Sequence, residues 1–346
     1  MKRFIVLLCA VAAFSLLAGC GPAKPKKPNV GITIYKFDDN FMSIVRNKID
    51  TLAKAVGADK LDYSIQDGQG DQSKQNDLID NFLTKGATAL ALNMVEPASA
   101  SVVIGKATAK KVPIVFFNRE PDAAEMAKDA NAYYVGAKAQ QSGTYEGEIV
   151  ADYWKANPSA DKNKDGKMQY VMILGDPANT DAKYRTEFSI KAVEAAGITV
   201  DKLAEDTAMW QTGDAQNKMQ AWLSKFGDKI EVVFANNDAM AIGAINALKA
   251  AGYFKGKKYM PVVGVDAIPE ALDAISQGTL LGTVLNDADK QGQATFDLAY
   301  ALAQGKPAAT DVGPLANADG AADPKGHYIW VPYVKVSKDN YTQFKK

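Results

Sequence analysis

The sequence predicts an α/β protein built from two doubly wound parallel-sheet domains. Three observations carry that prediction. Apolar runs of strand length alternate with segments of helical periodicity, the alternation falls into two sets, and 346 residues are more than one core fills comfortably. In the first set the run at 30–35 (VGITIY) suits a buried strand, and Met42, Val45, Ile49, Leu52, Ala53 and Val56 follow it at helical spacing. The run at 61–65 precedes a helix carrying Leu78, Ile79, Phe82 and Leu83; 88–93 and 112–117 are further strands. The second set places strands at 169–174, 230–235, 261–265 and 281–285, each with a helical segment after it. Parallel strands need such crossovers, so the alternation itself argues for parallel sheets.

The chain opens differently. Lys2 and Arg3 precede a short apolar run that stops at Leu17-Ala18-Gly19-Cys20. A positive start, an apolar middle and small residues before a cut predict an export signal over 1–19, too short and wrongly flanked to span a bilayer. Leucine, alanine and glycine ahead of Cys20 resemble the bacterial lipobox, which implies a lipidated Cys20 that anchors the protein without spanning the membrane. The alternative is an ordinary secretory signal with a chance cysteine. Residues 20–28, rich in proline and lysine, read as a tether between lipid and globule. The expected location is the periplasm or cell surface, held by the N-terminal lipid.

Composition narrows the function classes. With 47% hydrophobic and 23% charged residues the chain is an ordinary globular protein. Loss of Lys2 and Arg3 with the signal leaves 38 basic against 40 acidic residues, so nothing attracts nucleic acid electrostatically. Cys9 leaves with the signal and Cys20 takes lipid, which leaves no disulfide. The sole histidine, His327, excludes histidine triads and zinc clusters from the rest of the chain. A monomer is expected.

Parallel sheets bind ligands beyond the carboxyl ends of their strands. The polar residues after each run share one chemistry: Asp39 with Phe41, Asn118 with Arg119 and Glu120, Asn179 and Asp181 with Arg185, Asn236 with Asn237 and Asp238, Asp266, and Asn286 with Asp287. Carboxylates, amides and a guanidinium suit a neutral polyhydroxyl ligand, because each hydroxyl both donates and accepts and a planar side chain bridges two neighbours. Each has a plainer alternative. Asp39, Asp181, Asp238 and Asp287 stand where helix N-caps stand, and Arg185 lies one turn from Asp181.

The string DKNKDGKMQ at 161–169 places oxygen side chains at positions 1, 3, 5 and 9 of a cation loop, with glycine at 6. Asp161, Asn163, Asp165 and Gln169 are the candidate ligands, and Lys167 contributes its backbone carbonyl. Calcium is the expected structural ion. Position 12 is Met172, so a bidentate carboxylate must come from elsewhere. An Asx-rich surface turn is the alternative.

Longer strings carry a resemblance: YKFDDNFM at 35–42, DQSKQND at 71–77, VFFN at 115–118, DTAMW at 206–210, ANNDAM at 235–240, GVDA at 264–267 and GTVLNDA at 282–288. From about residue 30 onward the chain resembles the D-galactose/D-glucose-binding proteins of bacterial ABC importers, of the type I periplasmic binding protein family. That resemblance implies two domains, 29–136 with 286–330 and 137–285 with 331–346, joined by a three-strand hinge near 136–138, 285–288 and 330–333. It implies sugar hydrogen bonding by Asp39, Asn118, Asp181, Arg185, Asn237, Asp266 and Asn286, aromatic walls at Phe41 and Trp210, and Glu231 as the missing calcium ligand. Asn179 stands where the family has a histidine contacting the sugar, and 312–327 has no clear counterpart.

The function so implied is non-enzymatic capture of D-glucose or D-galactose and delivery to an ABC permease, with a chemoreceptor as a further possible partner. The alternatives are another monosaccharide or a glycoside-acting enzyme using two of Asp39, Asp181 and Asp266. A sugar-responsive repressor is excluded for an exported chain without an N-terminal helix-turn-helix.

Overall fold

The computed structural model describes residues 27–345, so the expected signal at 1–19, Cys20 and 21–26 of the tether lie outside the described residues. Strands and helices alternate as β1 (Asn29–Ile34), α1 (Asn40–Val56), β2 (Asp62–Asp67), α2 (Gln72–Thr84), β3 (Ala89–Leu92), α3 (Ala100–Lys110), β4 (Ile114–Phe117), α4 (Ala123–Met126) and β5 (Ala132–Gly136). They continue as α5 (Ala139–Ala156), β6 (Lys167–Leu174), α6 (Thr180–Ala195), β7 (Thr199–Thr207), α7 (Thr212–Phe226), β8 (Val232–Ala235), α8 (Asp238–Ala250), β9 (Val262–Val263), α9 (Pro269–Ser276) and β10 (Gly282–Leu285). The last elements are α10 (Ala288–Ala303), β11 (Tyr328–Trp330) and β12 (Val334–Ser337). No helix among the described residues is long and apolar enough to cross a membrane.

These strands form two six-stranded sheets, ordered β2-β1-β3-β4-β5-β11 and β7-β6-β8-β9-β10-β12. The neighbours run parallel except β12, which pairs antiparallel with β10. In each sheet the strand order reverses beside the first strand, between β1 and β3 and between β6 and β8. Such a reversal opens a crevice at the carboxyl ends, where ligands bind.

Helices cover both faces of each sheet because the parallel strands are apolar on both sides. Val45 and Ile49 of α1 with Phe296 and Leu298 of α10 fill one face of the first sheet; Ile79 and Phe82 of α2 with Val103 and Ile104 of α3 fill the other. In the second sheet, Met219, Trp222, Ile245 and Leu272 pack on one face, and Val150 and Val193 on the other. Each such side chain contributes about 1.5–3 kcal/mol by leaving water.

The chain passes between the sheets three times, at 137–138, 286–287 and 331–333. These crossings are irregular segments between β5 and α5, β10 and α10, and β11 and β12. A small core of Ala137, Val265, Val284 and Tyr333 sits beside them. The stretch 312–327, without counterpart in the resemblance, folds back here: Lys138 donates to the Asp319 carbonyl, and Trp330 Nε1 to the Asn317 carbonyl at 2.9 Å.

Candidate functional site

A cavity with about 330 Å³ of atom-free space lies between the two sheets. Asp39, Phe41, Asn118, Asn179, Asp181, Arg185, Trp210, Asn237, Asp266 and Asn286 all line it, so the structure brings together every position matched to the family's sugar contacts, whereas Glu120, Asn236, Asp238 and Asp287, also polar residues after apolar runs, do not line it. Tyr35, Met42 and Arg119 line it as well. Tyr35 and Met42 are not among the strand-end candidates, although Tyr35 closes the first apolar run; Arg119 is named after the fourth run but given no sugar contact.

The first sheet contributes its reversal point. Asp39 N-caps α1, accepting from Met42 N at 2.7 Å through Oδ1, while its Oδ2 accepts from Tyr35 Oη at 2.7 Å. Capping and facing the cavity are therefore compatible. Asn93, just after β3, accepts from Tyr35 N and donates to Asn118 Oδ1 at 3.2 Å, tying the ends of three strands together. Arg119 is 2% exposed, with its guanidinium carbon 3.6 Å from the centre of the Tyr35 ring.

The second sheet contributes the larger group of charges, Asp181, Arg185 and Asp266, against the two of the first. Arg185 of α6 donates to the Asn236 carbonyl at 2.8 Å, to Asp181 Oδ2 at 3.2 Å and to Tyr333 Oη at 3.1 Å, and lies 3.8 Å from Asp266 Oδ1. The pairing with Asp181 one turn away is present and leaves both residues in the cavity wall. Asn179 caps α6 through Asp181 N, and Asn237 caps α8 through Met240 N. Asn286 donates to Asp266 Oδ1 at 3.3 Å. Burial, only partly countered by Arg185, pushes the carboxyls of Asp181 and Asp266 above the usual range, Asp266 furthest. Those acids therefore gain from any ligand that donates hydrogen bonds to them.

Backbone strain collects at this site. Asn118, Trp210 and Asp266 have φ of 62°, 67° and 127°, and Met209 and Ala267 beside them 50° and 55°. Non-glycine residues in such conformations cost about 1–3 kcal/mol each and persist where the surroundings over-determine them, commonly at ligand sites. Trp210 is held by close approach to Gly175, where an added Cβ would sit 2.1 Å from the indole ring. The indole Nε1 and the Arg185 Nε are buried without a hydrogen-bond partner. Both are donors left for a ligand.

The cation loop lies at the start of β6. Asp161 Oδ1 and Oδ2 accept from Asp165 N and Gly166 N, and Asp165 Oδ1 accepts from Lys167 N at 2.8 Å. Glu231 reaches it from just before β8, accepting from Lys162 N at 2.6 Å and Gln169 N at 3.0 Å. No cluster of three or more His, Cys, Asp or Glu in metal-holding geometry occurs among the described residues. The set is instead one of carboxylates and amides, and Gln169 Oε1 is buried there without a partner. Hard oxygen donors and an orphaned buried acceptor fit calcium.

A model of the periplasmic binding protein domain matches residues 30–307. The chain is 45% identical over 349 residues to the D-galactose/methyl-galactoside binding periplasmic protein MglB of Haemophilus influenzae, covering 100% of both. It is 28% identical to a xylitol-binding protein of Mycolicibacterium smegmatis over 88% of this chain and 82% of that one. Among solved structures, an ABC transporter solute binding protein from Bacillus halodurans with bound myo-inositol matches with a TM-score of 0.78 at 24% identity, covering 93% of this chain and 99% of that one.

Proposed function

Since the chain belongs to the periplasmic binding protein family, we propose that it is the substrate-binding component of a sugar ABC importer, taking D-galactose or D-glucose between its two domains and handing it to the permease. One observation supports this reading above the rest. The reversal points of both sheets face a single cavity, and each supplies planar polar side chains together with aromatic surface, Phe41 and Tyr35 from the first and Trp210 from the second. The D-galactose of the 45% identical relative's name fits that chemistry.

The cavity residues act by exchange of partners. Asp39, Asp181 and Asp266 accept from sugar hydroxyls, the guanidinium of Arg185 donates, and the aromatic faces cover the apolar C–H surfaces. Hydrogen bonds to charged groups contribute about 1.5–3 kcal/mol each. Domain closure about the three crossings removes water and makes those bonds selective. The protein is a binder and not an enzyme, so the carboxylates need no acid and nucleophile roles.

Titration calorimetry with D-galactose, D-glucose, ribose, xylitol and myo-inositol tests the substrate. A hexose should bind at least tenfold more tightly than the others, and preference for a polyol or pentose overturns the hexose reading. Asn179 in place of a histidine is the residue expected to reorder galactose and glucose.

The same reading extends to a structural calcium held by Asp161, Asn163, Asp165, Gln169 and Glu231 with the Lys167 carbonyl. Bound calcium would offset two of the three carboxylate charges and tie the β6 loop to the start of β8. A ligand of the folded state stabilises it by mass action. Chelation should lower the melting temperature while sugar still binds the folded protein, and Glu231→Gln should do the same. A melting temperature indifferent to both chelator and added calcium removes the ion. A lipid at Cys20 anchors the binder beside its permease in this reading, and a chemoreceptor is a second partner for the closed form.

A further inference from the structure

Arg119 belongs to the first sheet by sequence, yet its charge is met from the second. It follows β4, and its Nη1 donates to the Val95 carbonyl at 2.7 Å. The same Nη1 donates to Asp176 Oδ2 at 3.2 Å, and Asp176 lies in the turn between β6 and α6. The guanidinium is 2% exposed and the Asp176 side chain 17%. The bond therefore crosses the cleft in a place nearly closed to water. Asp181, on the same side as Asp176, also feels the Arg119 charge.

A purely local role accounts for half of these contacts. The Val95 carbonyl and the Tyr35 ring hold the guanidinium from within the first domain. Neither neutralises it. A buried cation without a carboxylate partner is costly. Asp39 of the same domain reaches Arg119 only through Tyr35, and the carboxylate that Arg119 bonds directly, Asp176, comes from the second sheet.

We propose that Arg119 and Asp176 form a latch that sets how long the cleft stays closed, and that the latch also positions a sugar-binding carboxylate. Tyr35 links the two effects. Its ring lies under the Arg119 guanidinium and its hydroxyl donates to Asp39 Oδ2 at 2.7 Å. Closing the latch pins Arg119 over the ring, and the ring holds the carboxylate in its orientation. Arg119 is thus a positioning residue, acting through Tyr35 on Asp39 and through Asp176 on the domain arrangement.

The inference rests on the reading of the cavity as a sugar site, so the test has an arm that needs no sugar. Small-angle X-ray scattering of the sugar-free protein reads the closed fraction. Stopped-flow fluorescence from Trp210 reads the release rate of D-galactose, or of whichever sugar calorimetry selects. Asp176→Asn, at a partly exposed position, is the variant least able to disturb folding.

Asp176→Asn should lower the closed fraction and speed release about tenfold, with an association rate within about threefold of the parent. Arg119→Met should do the same, Arg119→Lys should recover part of the loss, and the double variant should be no faster than either single one. Release rates within twofold of the parent for Asp176→Asn, or single effects that multiply in the double variant, overturn the latch. Loss of closure in the sugar-free arm without binding of any sugar leaves the latch standing and removes the sugar reading instead.

Discussion

At the scale of single residues, of the four aspartates that stand where N-caps stand in the sequence, Asp39 caps α1 and lines the cavity and Asp287 caps α10 outside it, while Asp181 and Asp238 lie inside the first turns of α6 and α8, whose caps are Asn179 and Asn237. Asp39, Asn179 and Asn237 each cap a helix and each line the cavity, because the N-terminus of a helix after a parallel strand opens onto the carboxyl edge of the sheet. Glu120, beside the latch, yields a pH dependence. Burial first, then the charges of Asp181 across the cleft and of Asp122, push its carboxyl to about 7 against the pull of Lys138. Tyr134 and Tyr328 also feel its charge. Opening the cleft removes at least the Asp181 charge and so lowers the Glu120 pKa toward its ordinary value of 4.5, and closure takes up a proton over the part of this range that it restores. That contribution to closure is complete below pH 4.5 and lost as pH rises through 7. Sugar affinity should therefore be higher at pH 5.5 than at pH 8, by up to about tenfold per unit of pKa difference that survives screening. Glu120→Gln should raise affinity at pH 8 and flatten this part of the profile; calorimetry that finds the same slope in parent and variant assigns it to another group.

At the scale of elements, the pairing of α5 with α6 decides where Arg185 stands. Gly143 and Gly147 of α5 lie against the α6 backbone, and a Cβ on Gly147 would meet the Ser189 carbonyl at 2.1 Å. Gly147→Ala should push α6 outward with Asp181 and Arg185 on it. Overpacking of this kind costs about 1–3 kcal/mol, so both thermal stability and sugar affinity should fall, and an unchanged affinity in a destabilised variant would show that α6 shifts without moving its cavity end. The eight strands with apolar runs were legible in the sequence, as were the helices after them except the four-residue α4 behind β4. Four others were not, for separable reasons. β7 is an edge strand of sequence TVDKLAEDT with little buried surface, so burial stamped no pattern on it. β11 and β12 have three and four residues, too few for any period, and β5 is a five-residue run whose helix lies beyond the crossing, in the other domain. Within the site, the contact candidates were legible because each stands at a strand end or in a long recognisable string. Arg119 was seen but not assigned, because its partner Asp176 is remote in sequence and only the meeting of the two sheets brings them together.

At the scale of the whole molecule, the two sheets are not two successive lengths of chain. The first core lacks its α10 face and its β11 edge until residues 288–330 are present, which supply Ala288, Ala294, Phe296, Leu298, Ala299, Ala303 and Ile329 to it. A chain ended at Leu285 keeps five strands of each sheet, yet it should leave Val45 and Ile49 uncovered and be cut rapidly by protease in its first 136 residues. Protection there equal to that of the full chain would show that α10 is dispensable. The interlacing also imposes a waiting time. A chain growing at about 5–20 residues per second reaches Trp330 roughly 10–40 s after Gly136, and for that interval the opening third of the protein carries an apolar face with nothing to lay against it. An unfinished core of this kind suits a chain that crosses a membrane before it folds, and it makes the chain a client for any holdase that recognises exposed leucine, isoleucine and valine. Swift final folding then depends on the last sixty residues arriving intact.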